Sequence, residues 1–196
     1  MVVNFFKLKF FNIISLLMVT FVSCDTEQVN PTIKIKPFIQ SDDSRCGPAT
    51  LKMILNYYGY DVSEDTLALR CGHTYQQGCT NSDMEKVLKS YGFETFSKTN
   101  GTIEDLKYWI SKGIPVIIDW FTTGVNPTNE DGPDGHASIV VGVTETHIQI
   151  LDPEHGEVRN MKHNDFMRVW FDWEGSNQID SATKVNLRYM LVAFKK

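Results

Sequence analysis

The chain has 196 residues and a formal net charge of −5, with 42% hydrophobic and 22% charged residues. These proportions belong to a folded domain and exclude disorder, collagen and coiled coil. No Lys/Arg run supplies the positive footprint that a phosphate backbone requires, no apolar run reaches the ~18 to 20 residues that cross a bilayer, and no Walker-type phosphate loop is present. Nucleic-acid binding, transport and nucleotide hydrolysis are therefore not expected.

The segment from Met1 to Lys9 carries two lysines and no acid, and Phe10 to Val22 is apolar, the layout of a secretory signal. It ends in Phe21-Val22-Ser23-Cys24, which resembles a bacterial lipoprotein cleavage box. Residues 1–23 are read as a lipoprotein signal peptide, Cys24 as the lipidated residue, and 24–32 as a polar tether. This predicts a location in the cell envelope, lipid-anchored to a membrane outside the cytoplasm. Residues 33–196 form one domain.

Within that domain Ile33 to Ile39 reads as a short edge strand, with Pro37 arguing against a central one. After Cys46, the residues Ala49, Met53, Ile54, Tyr57 and Tyr58 recur at helical spacing, Pro48 suits a first turn and Gly59 is a stop. Cys46 is thus placed at or just before a helix N-terminus. Further helices are signalled from Ser63, from the capping-box spacing Ser82 to Glu85, and from Thr102 to Asp105. Ile114 to Trp120 reads as a strand, followed by a loop rich in Gly, Pro, Asn and Asp from Thr122 to Gly135. His136 to Val143 and His147 to Leu151 flank a short turn and predict an antiparallel hairpin ended by Asp152-Pro153. A helix over His163 to Trp170 and a strand over Tyr189 to Phe194 complete an α+β pattern, helices first and strands after.

Export places the cysteines where disulfides persist. Cys71 and Cys79, eight residues apart and flanked by Gly72 and Gly78, are expected to close a local disulfide; two thiols, or a metal site with His73, are the alternatives. With Cys24 acylated, Cys46 is then the odd thiol.

Four observations converge on Cys46. A thiol at a helix N-terminus feels the positive end of the macrodipole, and Arg45 adds positive charge beside it. His136 opens a strand directly behind a glycine-containing loop, where a general base could face a cleft. Reflecting the hairpin about its turn puts Asp152 roughly abreast of His136, in reach to orient the imidazole. Gln40, six residues upstream of Cys46, could join the Cys46 backbone N–H in an oxyanion hole. Trp120 and Phe121 are most simply core residues, with a substrate groove as the alternative. Glu130, Asp131 and Asp134 read as a solvated acidic loop rather than calcium ligands.

Gln40 with CGPATLKMILNYYG from Cys46 to Gly59, GHASIVVG from Gly135 to Gly142, and Leu151-Asp152-Pro153 with Gly156 resemble the bacteriocin-processing, double-glycine leader peptidase family of papain-like cysteine peptidases. The resemblance implies a papain-like α+β fold with an N-terminal helical part packed on an antiparallel sheet. It also implies Cys46 as nucleophile, His136 as base, Asp152 as its orienter, Gln40 as oxyanion donor, and no metal or organic cofactor. His73, His147, His155 and His163 match no catalytic position. In the best-known members of that family the domain heads an ABC transporter and trims Gly-Gly leaders; the export signal here puts the domain on the far side of the membrane. The expectation is an exported, lipid-anchored cysteine peptidase or amidase acting on a peptide or protein through an acyl-enzyme. The alternatives are acyl transfer at the same site and a peptide-binding lipoprotein on a peptidase scaffold.

Overall fold

The computed structural model describes residues 32–121, 135–174 and 184–195. The signal segment, Cys24, nearly all of the tether, and Glu130, Asp131 and Asp134 lie outside the described residues.

Three helices lead, α1 (Cys46–Tyr57), α2 (Glu64–Arg70) and α3 (Asn81–Ser90). Leu51, Ile54 and Leu55 of α1 are buried on one side at the spacing of a helical face, and the helix stops where Gly59 takes a left-handed φ of 87°. Ser63 caps α2 by accepting the Thr66 N–H. The cap of α3 is Thr80 and not Ser82: Thr80 has extended backbone and its hydroxyl accepts the Asp83 N–H, so Ser82 falls inside the helix. Glu85, free of a capping role, pairs with Lys89 and accepts a hydrogen bond from Thr95.

Next come β1 (Glu94–Lys98), α4 (Ile103–Ser111), β2 (Val116–Phe121), β3 (Gly135–Val143), β4 (His147–Asp152) and β5 (Glu157–Lys162). They are followed by α5 (His163–Val169), β6 (Phe171–Glu174), β7 (Lys184–Leu187) and β8 (Met190–Phe194). The Thr102/Asp105 capping box of α4 is complete in both directions. Six strands form one antiparallel sheet in the order β1-β8-β2-β3-β4-β5, and β6 pairs with β7 in a separate ribbon.

Helices cover both faces of the six-stranded sheet. On one face α1, α2 and α3 pack on Ile117, Ile139, Val141, Leu151 and Leu191; on the other, Leu106 and Ile110 of α4 and Phe166 of α5 pack on Ile118, Val140, Ile150 and Val192. This explains why the opening residues of β2, Val116, Ile117 and Ile118, are all apolar instead of alternating: successive residues enter two different cores.

Two expectations about strands need correction. Ile33 to Ile39 is not a strand. Among the described residues its backbone bonds to the sheet lie near its two ends, where the Ile33 N–H donates to the Val141 carbonyl and the Gln40 N–H to the Pro153 carbonyl, and Pro37 between them has no N–H to offer a ladder. Conversely β1 and β5, the two edges, gave no sequence signal because they are largely polar and half solvated.

Candidate active site

Cys46 is the first residue of α1, and Arg45 before it makes no side-chain cap, so no side chain of the preceding residue covers the positive end of the helix. The helix is registered against the sheet by Thr50, one turn further on, whose buried hydroxyl donates to the Ala137 carbonyl at 3.1 Å. Ala137 follows His136, so this bond ties the helix that opens with Cys46 to the strand that carries His136.

His136 is 7% exposed and Asp152, the last residue of β4, is fully buried. His136 Nε2 lies 2.7 Å from Asp152 Oδ1; the carboxylate accepts, so Nε2 carries the proton and Nδ1 is the nitrogen left for Cys46. Cys46 stands close enough to His136 to favour its protonated form. Burial by itself disfavours the imidazolium, but the bond to Asp152 and the neighbouring Cys46, with their charges, outweigh it and hold the His136 pKa well above the ordinary histidine value. Burial likewise works against the Asp152 carboxylate, yet the hydrogen bonds from His136, Arg159 and the Glu154 N–H hold it well below the usual carboxylate range.

The His–Asp contact is diagonal. Reflection about the turn put Asp152 roughly abreast of His136; the ladder instead starts with Val143 opposite Ile148, which would set Asp152 opposite Ile139, and the irregularity between Val140 and Gly142 shifts it so that Ile139 pairs Leu151 and Ser138 comes opposite Asp152. The offset of two residues keeps His136 and Asp152 on the same face of the sheet, which is why the contact survives it.

One contributor, Arg159, had no sequence signal. Arg159 Nη1 donates to Asp152 Oδ2 at 2.8 Å, so both carboxylate oxygens are occupied. The Arg159 guanidinium lies 5.2 Å from the centroid of the Trp120 ring, and that ring meets His136 edge-on at 6.1 Å. Trp120 is 1% exposed and donates to the Ser138 hydroxyl, so it is a wall of the His136 chamber built from the core, not the lining of an open groove. Phe121, also buried, stacks on Phe171. Finding Arg159 in the sequence would have required the β4–β5 register, in which it pairs with Ile150.

Gln40 is anchored beside the site by its backbone bond to Pro153. Its Nε2 donates one hydrogen to the Asp42 carbonyl at 2.9 Å and retains a second, while Oε1 is buried without a hydrogen-bond partner. Arg45 does not supply the net positive charge expected of it: its guanidinium faces Asp42, Glu64 and Asp65, and three carboxylates more than balance one cation. Cys71 and Cys79 are joined in a disulfide, so the alternatives of two thiols or a metal site with His73 do not hold. His73 instead bonds Ser44. Among the described residues, the one group of side chains disposed to hold a metal ion is His136, Asp152 and Glu154, and there a cation would compete with the Arg159 guanidinium for Asp152.

The model of the Peptidase C39-like family matches residues 32–178, a span that takes in Gln40, Cys46, His136 and Asp152. The chain belongs to this family. Its fold is shared with a double-glycine motif protease of an AMS/PCAT transporter, solved with its leader peptide. That likeness has a TM-score of 0.61 and 20% identity, covering 84% of this chain and 94% of the other. The peptidase domain of Streptococcus ComA, a bifunctional ABC transporter of a quorum-sensing pathway, aligns with a TM-score of 0.60 and 22% identity over 82% of this chain and 98% of that one. No curated protein matches the chain at a significant level. The C39-like fold is the papain-like arrangement of helices on an antiparallel sheet, as the sequence resemblance implied.

Proposed function

We propose that this C39-like protein is a lipid-anchored cysteine peptidase of the cell envelope that cleaves a peptide bond through Cys46, His136 and Asp152. The observation that carries the reading is the buried His136 imidazole, hydrogen-bonded to the Asp152 carboxylate and close enough to the free Cys46 for the two to influence each other's protonation. A hydrogen-bonded imidazole that holds its proton beside Cys46 is the acid half of a nucleophile pair. The Cys46 sulfur attacks the peptide carbonyl carbon, and the oxyanion is met by the Cys46 N–H and the remaining Gln40 amide hydrogen. His136 gives its proton to the leaving amine as the C–N bond breaks, leaving a thioester. It then takes a proton from water, which attacks the thioester and frees the acid and the thiol. Asp152 keeps Nε2 protonated and the ring aimed throughout.

A peptide substrate is supported by the leader peptide bound to the double-glycine protease that shares this fold. Retention of a fully hydrogen-bonded, buried His–Asp pair beside a free cysteine argues against a scaffold that only binds, since binding needs no such pair. The test is labelling with iodoacetamide at pH 6, mapped to Cys46, followed by cleavage of a peptide library that includes Gly-Gly sequences. We expect rapid labelling that His136→Ala slows by about tenfold or more, and cleavage that Cys46→Ala abolishes. Labelling indifferent to His136, or cleavage surviving Cys46→Ala, would overturn the reading.

A further inference from the structure

The disulfide loop between α2 and α3 lies against both sides of Cys46. On the upstream side, His73 Nε2 is 3.1 Å from the Ser44 carbonyl and 3.0 Å from the Ser44 hydroxyl. A carbonyl only accepts, so Nε2 carries the hydrogen and is shared between these two oxygens. The Ser44 hydroxyl in turn reaches Asp42 Oδ1, and Asp42 gives its carbonyl to Gln40. On the downstream side, Gly47 is buried against the bridge: a Cβ there would stand 2.8 Å from Cys79 Cβ and 3.5 Å from Cys79 Sγ. The absence of a side chain at residue 47 is what lets the disulfide seat on the first turn of α1. The loop itself is shaped by a Thr74–Gly78 bridge, with Gly72 and Gly78 both at left-handed φ.

We propose that the Cys71–Cys79 loop is a positioning clamp for the nucleophile: His73 and Cys79 grip Ser44 and Gly47 and so hold Cys46 in register with His136. This rests on the peptidase reading and deepens it, giving the disulfide a role in turnover beyond that of a cross-link. The physical reason is a division of labour. Thr50 registers α1 against the sheet one turn away from Cys46, but among the described residues Ser44, Arg45 and Gly47 make no hydrogen bond to β3 or β4. The exposed polar residues of the loop would not hold their shape without closure, because an open loop of this length has many conformations to lose and little apolar surface to bury. A displacement of about 1 Å at a nucleophile is enough to cost two orders of magnitude in rate.

The experiment uses the full chain and iodoacetamide, with the Cys46 peptide quantified at pH 6 and at pH 9 for the wild type, Cys71→Ala/Cys79→Ala, His73→Ala and His136→Ala. The clamp predicts that the double variant labels at pH 6 at least about tenfold more slowly than the wild type, with a smaller deficit at pH 9. His73→Ala, which keeps the disulfide, should slow labelling at pH 6 by roughly threefold. Should the double variant be unfolded by circular dichroism, His73→Ala decides the matter. Wild-type labelling in a folded double variant, or in His73→Ala, overturns the clamp while a slowed His136→Ala leaves the peptidase reading standing. If His136→Ala also labels like the wild type, the peptidase reading itself has failed.

Discussion

The Thr50 hydroxyl donates to the Ala137 carbonyl across 87 residues of sequence, and both groups are buried. Thr50 stands one helical turn after Cys46, and Ala137 directly follows His136. The bond therefore ties the element that opens with Cys46 to the one that carries His136. Replacing Thr50 by Val keeps the shape but removes this buried hydrogen bond, at a cost of about 0.5–1.5 kcal/mol. Thermal melts should show the loss, with Thr50→Ser restoring most of it. A Thr50→Val protein as stable as the wild type would mean that the bond contributes nothing.

The His136 shift sets a pH window for stability. In an unfolded chain this histidine titrates near ~6.5, whereas the folded protein pushes it up to about 10 against the opposing effect of burial, through Asp152 and Cys46. The folded state thus holds the proton more tightly. Its contribution is full below pH ~6.5 and drains away as pH rises toward that of the folded group. Asp152 works in the opposite sense: its lowered folded pKa contributes stability above pH ~4 that is lost in stronger acid. Melts of the wild type and His136→Ala between pH 6 and pH 10 should converge with rising pH. A gap that stays constant across that window would contradict the assignment.

Arg159 completes the coordination of Asp152. Removing it as Arg159→Met leaves Oδ2 of a fully buried carboxylate without its donor. Because the arginine is itself partly solvated, the expected destabilisation is modest, about 1–3 kcal/mol. The kinetic effect should be larger, roughly 10- to 100-fold in kcat with little change in KM, since the residue orients the group that orients His136. Arg159→Lys should recover part of it. A change confined to KM would instead place Arg159 at the substrate.

The anchoring proposal is tested independently of catalysis. Expressed with its own signal, the wild type should fractionate with membranes and carry a lipid mass on an N-terminal cysteine, while Cys24→Ser should lose both. Membrane association and lipid mass unaffected by Cys24→Ser would refute lipidation at that residue.

The helices around Cys46 and at Ser63 and Thr102, the β3–β4 hairpin and the gathering of Cys46, His136 and Asp152 were all legible before any coordinates. Each rests on a local pattern: apolar periodicity, a capping residue, two β-rich runs around a short turn. Where local cues competed, the reading slipped. Thr80 and Ser82 are both good caps with an acid three residues on, and the chain takes the earlier one, Thr80.

What the chain determined by itself is chemical type and order along the backbone: a thiol opening a helix, a histidine opening a strand, an acid closing the next, and a glutamine upstream. Tertiary structure decided everything that depends on register between elements distant in sequence. The irregularity in β3 brings His136 and Asp152 onto one face of the sheet, Arg159 reaches Asp152 through the β4–β5 pairing, and Trp120 becomes the wall beside His136 through the β2–β3 pairing. Edge strands without an apolar face, and hydrogen bonds between residues dozens of positions apart, leave no periodic trace in a sequence. Their partners are chosen only when the two cores close on either side of the sheet.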